Sequence, residues 1–261
     1  MKRLLLVFAH PDDESFSCGG TVAKYVAAGW HVDLICATRG EDGTRGPFID
    51  VPQDQLGDIR QKEVQKAGVT LGISSITFLG YRDGTLSGQT PGVLEDLVYK
   101  KMEELVPDAV ITMDTTGISN HPDHIRMSFV TTYAFQKYGA WIEEQLKDQE
   151  ETAQNFPKLY YVCMPESVAD YLKKKKKLPA ESFGKPWLGV PDKNITTVIN
   201  IMKFASTKKK ALASHISQED DVKRYLSLPS QPGLKHEYFI LRMQGVTEVF
   251  LGKNDHVANH L

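Results

Sequence analysis

The chain has 261 residues, with 31 Lys and Arg against 33 Asp and Glu and a formal net charge of −2. This near balance gives no reason to expect a nucleic-acid partner or an anionic membrane surface. Hydrophobic residues make up 41% of the sequence, which is enough for one large core. No stretch approaches the roughly 20 apolar residues of a membrane span, and the three cysteines lack metal or redox spacing. We therefore expect a cytoplasmic protein.

The chain begins with a predicted strand at 3–9 whose residues 4–9 are continuously apolar, as in a parallel sheet buried on both faces. It runs into the turn AHPDDE, which contains His10, Asp12 and Asp13, and a helix is predicted over 19–29. Ligands of open parallel sheets bind at such strand ends. His10 and Asp13 can converge on one ion there, which leaves the Asp12 carboxylate free.

Strands are next predicted at 31–38 and 75–79, separated by a helix over 56–71. The glycine-rich loop at 39–46, which contains GEDG at 40–43, follows the first of these strands at the same predicted sheet edge. It is either a substrate lid with glycine hinges or a tight connection, and the sequence favours neither.

A helix over 91–106 and a buried strand at 108–113 lead to the second polar cluster, HPDH, which contains His121 and His124 and opens a helix over 122–138. Alternating strands and helices place this cluster at the same sheet edge as His10. Two histidines and one carboxylate with open positions describe a catalytic zinc site. They also describe the facial triad of non-haem iron oxygenases, so iron and manganese stay open.

The rest of the chain is predicted to be an elaborated C-terminal part. Residues 139–193 are polar and proline-bearing, which is typical of an insertion or lid over the sheet edge. Its lysine run at 173–177 is expected to be a solvated loop. Further elements are predicted at the strands 158–164, 195–201 and 236–243 and the helices 203–217 and 219–227.

The two clusters together resemble the LmbE/PIG-L family of metal-dependent N-acetylglucosaminyl deacetylases. The resemblance is strong over the first half of the chain. Three more segments of that half and one later segment share it: GEDG at 40–43, RQKE at 60–63, YRDG at 81–84, and Lys210-Ala211-Leu212 with Ser214, His215 and Gln218.

The resemblance implies an α/β fold, Rossmann-like, with three αβα layers and a mostly parallel sheet. It implies one domain over 1–261, with a motif-bearing core at 1–138, the insertion at 139–193 and C-terminal strands and helices at 194–261. It further implies Zn²⁺ as the cofactor, with Fe²⁺ as the alternative. The implied ligands are His10, Asp13 and His124.

The resemblance also assigns chemistry. Asp12 matches the general base that activates the attacking water, and His121 matches a residue that supports the charged tetrahedral intermediate. Arg60, Asp83 and His215 match substrate-binding positions. Taken alone, Arg60 is also consistent with a surface ion pair, and a lone histidine such as His215 is also consistent with a surface or core residue.

The predicted function is hydrolysis of the N-acetyl group of an N-acetylglucosamine-containing small-molecule conjugate, with N-acetylglucosaminyl malate of bacillithiol synthesis as the leading candidate. The alternatives are a non-haem iron enzyme and a metal-binding, non-catalytic sugar-binding protein. A dinucleotide site is disfavoured because the first turn is acidic and lacks the glycine pattern. The expected partner is a small amino-sugar conjugate. Binding to nucleic acid or to a membrane is not expected, and the sequence leaves open whether the protein forms a homo-oligomer.

Overall fold

The structure is a computed structural model, and it describes residues 1–147, 156–230, 232–249 and 257–261. Its strands are β1 (Arg3–Phe8), β2 (His31–Thr38), β3 (Ser75–Tyr81), β4 (Ala109–Met113), β5 (Lys158–Cys163), β6 (Glu181–Ser182), β7 (Lys185–Pro186), β8 (Thr197–Asn200), β9 (His236–Gln244) and β10 (Thr247–Glu248). Its helices are α1 (Asp13–Ala27), α2 (Leu56–Leu71), α3 (Val93–Leu105), α4 (Gly117–Asn120), α5 (Pro122–Leu146), α6 (Glu166–Lys174), α7 (Ala205–Leu212) and α8 (Glu219–Leu226).

The central sheet has the strand order β10-β9-β5-β4-β1-β2-β3, and β8 pairs with β9 beside this path. Strands β3, β2, β1, β4 and β5 are parallel, whereas β8, β9 and β10 add antiparallel pairing at one side. The apolar run of β1 lies at the centre of this sheet and is completely buried. A mostly parallel sheet with a C-terminal elaboration was predicted, and this is confirmed.

Helices cover the sheet on both faces. Successive side chains of β1 point to opposite faces, and both sets are apolar and need to be covered. Leu4 and Leu6 pack with α1, α2 and α7 in one hydrophobic core. Leu5 and Val7 pack with α3 and α5 in the other. The three-layer αβα arrangement predicted from the sequence is therefore confirmed.

Several element boundaries differ from the sequence-based prediction. Helix α1 begins at Asp13 rather than near 19, because its polar first turn carries acidic residues that suit a helix N-terminus but break the apolar periodicity. Helix α6 was missed, and the lysine run begins in its last turn, where positive charge is favourable. Helix α7 ends at Leu212, so His215 lies beyond it in the turn before α8.

The predicted insertion at 139–193 holds more of the core than expected. Residues 139–146 complete α5, and β5 pairs with both β4 and β9 inside the sheet. Residues 148–155 lie outside the described residues. A lid role therefore stays a prediction for the part after β5, residues 164–193. Among the described helices, none combines the length and the apolarity needed to cross a membrane.

Candidate active site

The two polar clusters meet where the strand order of the sheet reverses. Strands β1 and β4 are neighbours, but β1 is followed by α1 on one face and β4 by α5 on the other. This switch point is where open α/β sheets bind their ligands. His10 lies two residues beyond β1, and His121 lies directly before α5.

Three side chains converge at this point. His10 Nδ1 lies 3.1 Å from His124 Nε2, and Asp13 Oδ1 lies 3.2 Å from the same His124 nitrogen. The second oxygen of Asp13, Oδ2, lies 3.9 Å from His10 Nδ1 and accepts the backbone N–H of His10 at 2.9 Å. Ligand atoms around a tetrahedral zinc ion are about 3.3 Å from one another, since each lies about 2.0 Å from the metal. The separations of 3.1 and 3.2 Å at His124 Nε2 are therefore compatible with a small divalent cation between the three predicted ligands.

The orientation of His124 is fixed by the turn before α5. Its Nδ1 lies 3.1 Å from the carbonyl oxygen of Gly117, which is a strong acceptor. Donation from Nδ1 leaves the Nε2 lone pair for a cation. Gly117 has φ 63°, and a Cβ there would lie 2.8 Å from the Cβ of His124. The glycine thus allows the close approach on which this hydrogen bond depends.

His10 is oriented from its other side by two carboxylates. Its Nε2 lies 2.9 Å from Asp83 Oδ1 and 3.4 Å from Asp123 Oδ2. Burial lowers the pKa of His10, but these carboxylates and Asp13 outweigh that effect and raise the pKa to about 10. Asp123 is itself fully buried and accepts the backbone N–H groups of Gly84 and Leu86. Carboxylates on the far nitrogen of a ligating histidine are typical of metal sites.

His121 lies against the same cluster. Its ring stacks on His124, with centroids 4.7 Å apart, and ring nitrogens of His10, His121 and His124 lie within 4.8 Å of one another. The Nδ1 of His121 accepts the N–H of Asp123 at 3.2 Å. Burial and the neighbouring histidines lower the pKa of His121 to about 4. The neutral ring therefore carries its proton on Nε2, which makes that nitrogen a donor.

Asp12 stands beside the three converging side chains in an unusual backbone conformation, with φ 102°. Its N–H donates to Glu14 Oε2 at 3.1 Å, and its Oδ2 accepts from Arg60 Nη2 at 3.1 Å. Burial, together with the charges of Asp13 and Glu14, raises the pKa of Asp12 to about 6 despite the opposing charge of Arg60. A carboxylate with a pKa near neutrality suits general acid–base work.

Arg60 is buried rather than part of a surface ion pair, because only 4% of it is exposed. It donates to the carbonyl oxygens of Pro11 at 2.6 Å and Gly40 at 2.9 Å, in addition to Asp12. A Cβ on Gly40 or Gly43 would lie 2.3 Å from its guanidinium. The GEDG loop is thus packed closely on Arg60, which favours the tight connection over the lid.

Comparison with known proteins adds an independent finding. Residues 5–135 match the family model described as PIG-L, GlcNAc-PI de-N-acetylase. A 1D-myo-inositol 2-acetamido-2-deoxy-alpha-D-glucopyranoside deacetylase of Rhodococcus jostii is 32% identical in an alignment 279 residues long that covers 92% of this chain and 91% of the relative.

The chain belongs to the PIG-L family. It is a deacetylase, a hydrolase that acts on an amide bond. Members of the family depend on a metal ion, which agrees with the cluster at the switch point.

Two further matches show how far the similarity extends in sequence and in structure. A probable N-acetyl-alpha-D-glucosaminyl L-malate deacetylase 2 of Bacillus anthracis is 40% identical over 126 residues, 47% of this chain and 54% of that protein. The crystal structure of GalB, a 4-carboxy-2-hydroxymuconate hydratase of Pseudomonas putida, superimposes with a TM-score of 0.66 at 18% identity, covering 96% of this chain and all of the other. The hydratase shows a shared fold alone.

Two of the three predicted substrate-binding residues line the cavity, and the third does not. Arg60 and Asp83 line the cavity at the switch point, but their polar atoms already contact Asp12 and His10. His215 is 1% exposed, and its Nε2 lies 3.1 Å from Glu14 Oε1. His215 does not line the cavity, so a substrate-binding role for it stays a prediction.

Sequence reasoning missed two buried carboxylates of the site, Asp123 and Glu14. Both stand inside the quoted motifs, as the third residue of HPDH and the last of AHPDDE. The motifs were the available signal, but the roles depend on contacts with His10 and Asp12. The contact between Asp123 and His10 depends on the packing of β1 against β4, and the contact between Glu14 and Asp12 depends on the backbone conformation of the turn.

Proposed function

We propose that this deacetylase removes the acetyl group from an N-acetylglucosamine-containing small-molecule conjugate and releases acetate and a free amine. The observation that carries the proposal is the convergence of His10, Asp13 and His124, whose remaining polar atoms are all engaged by the protein. A site prepared in this way is suited to a metal-assisted hydrolysis.

His10, Asp13 and His124 would hold the divalent ion, and we propose zinc, with ferrous iron as the alternative. Bound there, the ion would supply a Lewis acid and lower the pKa of water to about 7. We assign Asp13 rather than His121 as the third ligand. His121 has its Nδ1 occupied by the Asp123 N–H, whereas Asp13 Oδ1 points at His124.

Asp12 is proposed as the general base. As a carboxylate at neutral pH it accepts a proton from the attacking water, and it then returns that proton to the departing amine nitrogen. Its pKa of about 6 matches both tasks, because the group is mostly ionised at pH 7 and still basic enough to accept a proton. Arg60 holds the carboxylate in place through its 3.1 Å contact.

His121 is proposed to stabilise the developing oxyanion. Its Nδ1 accepts a backbone N–H, so the Nε2–H donates, and a pKa of about 4 keeps the ring neutral throughout the working pH range. A preorganised donor of this kind typically contributes a factor of about 10² to 10³ to the rate. We assign Asp83 and Asp123 to holding His10 rather than to binding the sugar.

The proposal extends to the identity of the group that is conjugated to the N-acetylglucosamine. The relatives named above act on inositol and malate conjugates, and the sequence led us to the malate conjugate of bacillithiol synthesis. The test is acetate release from inositol, malate and simple alkyl conjugates of N-acetylglucosamine, using metal-free protein reloaded with zinc or, without oxygen, with ferrous iron. Metal-dependent acetate release is expected. Metal uptake without acetate from any conjugate would contradict the proposal and favour a binding role or iron chemistry.

A further inference from the structure

A short hairpin stands beside the proposed metal site. Strands β6 and β7 pair antiparallel through the two-residue loop Phe183-Gly184, whose φ angles are 50° and 70°. Two positive φ values are typical of a type I′ turn, which favours Asn, Asp or Gly at the first position. A phenylalanine in this conformation is strained, since its Cβ crowds the backbone. The chain retains an aromatic ring where the local backbone disfavours one.

The ring of Phe183 lies on the wall of the cavity and is not part of the hydrophobic core. It is 56% exposed, and its centroid lies 4.7 Å from that of His121 in an edge-to-face contact. It lines the same cavity of about 710 Å³ as His10, Asp12 and His124. A strained and exposed aromatic beside the proposed oxyanion donor is placed to touch a substrate.

The hairpin is fastened to the site through its backbone. Asn120 precedes His121 directly, and its Nδ2 lies 3.4 Å from the carbonyl oxygen of Ser182, 3.3 Å from that of Lys185 and 3.1 Å from that of Pro186. One side chain thus binds both strands of the hairpin. The position of Phe183 is therefore tied to the position of His121.

Phe183 shares the lining of this cavity with further apolar side chains and with polar ones such as Lys177 and Arg224. Five of the apolar side chains lie on β5, α6 and the segments beside them and are called the apolar wall: Val162, Met164, Leu172, Leu178 and Trp187. The wall lies beyond the residues that match the family model, whereas the cluster of histidines and aspartates lies within them. Polar groups such as inositol or malate would gain nothing from burial against it.

We infer that the conjugated group of the substrate is apolar and that Phe183 with this wall forms its binding subsite. The inference rests on the proposed function, because it concerns the part of the substrate that is not hydrolysed. The subsite is continuous with the reaction centre through the contact between Phe183 and His121. A substrate filling both would place its amide at the histidines and its apolar group against the wall.

The test compares the methyl and hexyl glycosides of N-acetylglucosamine in the same anomeric form, with the metal-loaded protein. We expect kcat/KM for acetate release to be at least tenfold higher for the hexyl glycoside, because five added methylenes are buried. Equal values for the two glycosides, with acetate released from both, would overturn the subsite and leave the proposed function intact.

Phe183→Asn supplies the matched variant, because Asn accepts a positive φ. We expect the preference for the hexyl glycoside to fall at least fivefold, mainly through KM, while metal content is unchanged and the thermal midpoint rises. Leu188→Asn is the control, since Leu188 is 61% exposed on the same segment but does not line the cavity. An unchanged preference in Phe183→Asn would contradict the inference.

Binding measured by calorimetry separates the two proposals. If the metal-loaded protein binds the hexyl glycoside at least tenfold more tightly than the methyl glycoside but releases acetate from neither, the subsite is supported and the proposed function fails. If it releases acetate and binds both equally, the subsite fails.

Discussion

At the scale of single residues, the geometry of the site depends on the hydrogen bonds that each proposed ligand makes with the polar atom that faces away from the metal position. His124 gives one nitrogen to a backbone carbonyl, His10 gives one to buried carboxylates, and Asp13 accepts the N–H of His10 with one oxygen. Each pairing leaves the opposite atom directed at the same point. The precision of the proposed metal site therefore depends on residues that never touch the ion.

Asp123→Asn tests this dependence. The substitution keeps the size of the side chain but removes the negative charge beside His10 Nε2. We expect the affinity for the metal to fall about 10- to 100-fold, as measured by competition with a chelator. Asp96→Asn, an exposed carboxylate paired with Lys137, is the control and should bind metal normally. Unchanged affinity in Asp123→Asn would remove Asp123 from the site.

At the scale of elements, α1, α7 and β9 are joined by a buried ion pair whose two residues are among those that line the active-site cavity. Lys208 Nζ lies 2.6 Å from Glu237 Oε1 and 2.9 Å from the carbonyl oxygen of Phe16. Glu237 also accepts the N–H groups of Gly20 and Thr21 in α1. Both charged side chains are almost fully buried, so each depends on the other.

Lys208→Met should lower the free energy of unfolding by about 3 to 5 kcal/mol, because Glu237 would remain charged and buried without its cation. The measurement is a denaturant unfolding curve of the metal-free protein. Lys210→Met on the exposed side of the same helix should change the stability by less than about 0.5 kcal/mol. Equal effects of the two substitutions would show that the ion pair contributes nothing specific.

Sequence patterns predicted the parallel strands and the two polar clusters that carry the proposed ligands, because each strand and each cluster is a contiguous segment. The apolar run of β1 and the AHPDDE turn directly after it are adjacent in the chain, so their juxtaposition needed no tertiary information. The buried position of His215 could not be predicted for the opposite reason. Its partner Glu14 is 201 residues away, and only the packing of the turn after α7 against α1 brings them together. Phe183 gave no signal, since its strain arises in a hairpin of two-residue strands.

At the scale of the whole molecule, metal binding and protonation are linked. Without a cation, the carboxylates around His10 hold its pKa at about 10, so the ring is protonated at neutral pH. A metal ion must displace that proton to bind Nδ1. Asp13 has a pKa held below its usual range despite burial, by His124 and His10, and is already ionised.

Metal affinity should therefore rise about tenfold for each unit of pH between 6 and 8, because one proton leaves His10 for each ion bound. The number of protons released for each ion bound is measured directly by adding metal to the protein in a weakly buffered solution. A pH-independent affinity over this range would mean that His10 is neutral before the metal arrives or is not a ligand.

The central claim is that Asp12 acts as the base at a metal held by its neighbours, and one measurement tests it most directly. Metal content and acetate release are determined together for the wild type, Asp12→Asn and the exposed control Asp58→Asn, each reloaded with zinc. We expect all three to hold equal metal, with kcat reduced about 10² to 10⁴-fold in Asp12→Asn alone. Near-normal acetate release by metal-loaded Asp12→Asn would contradict the account.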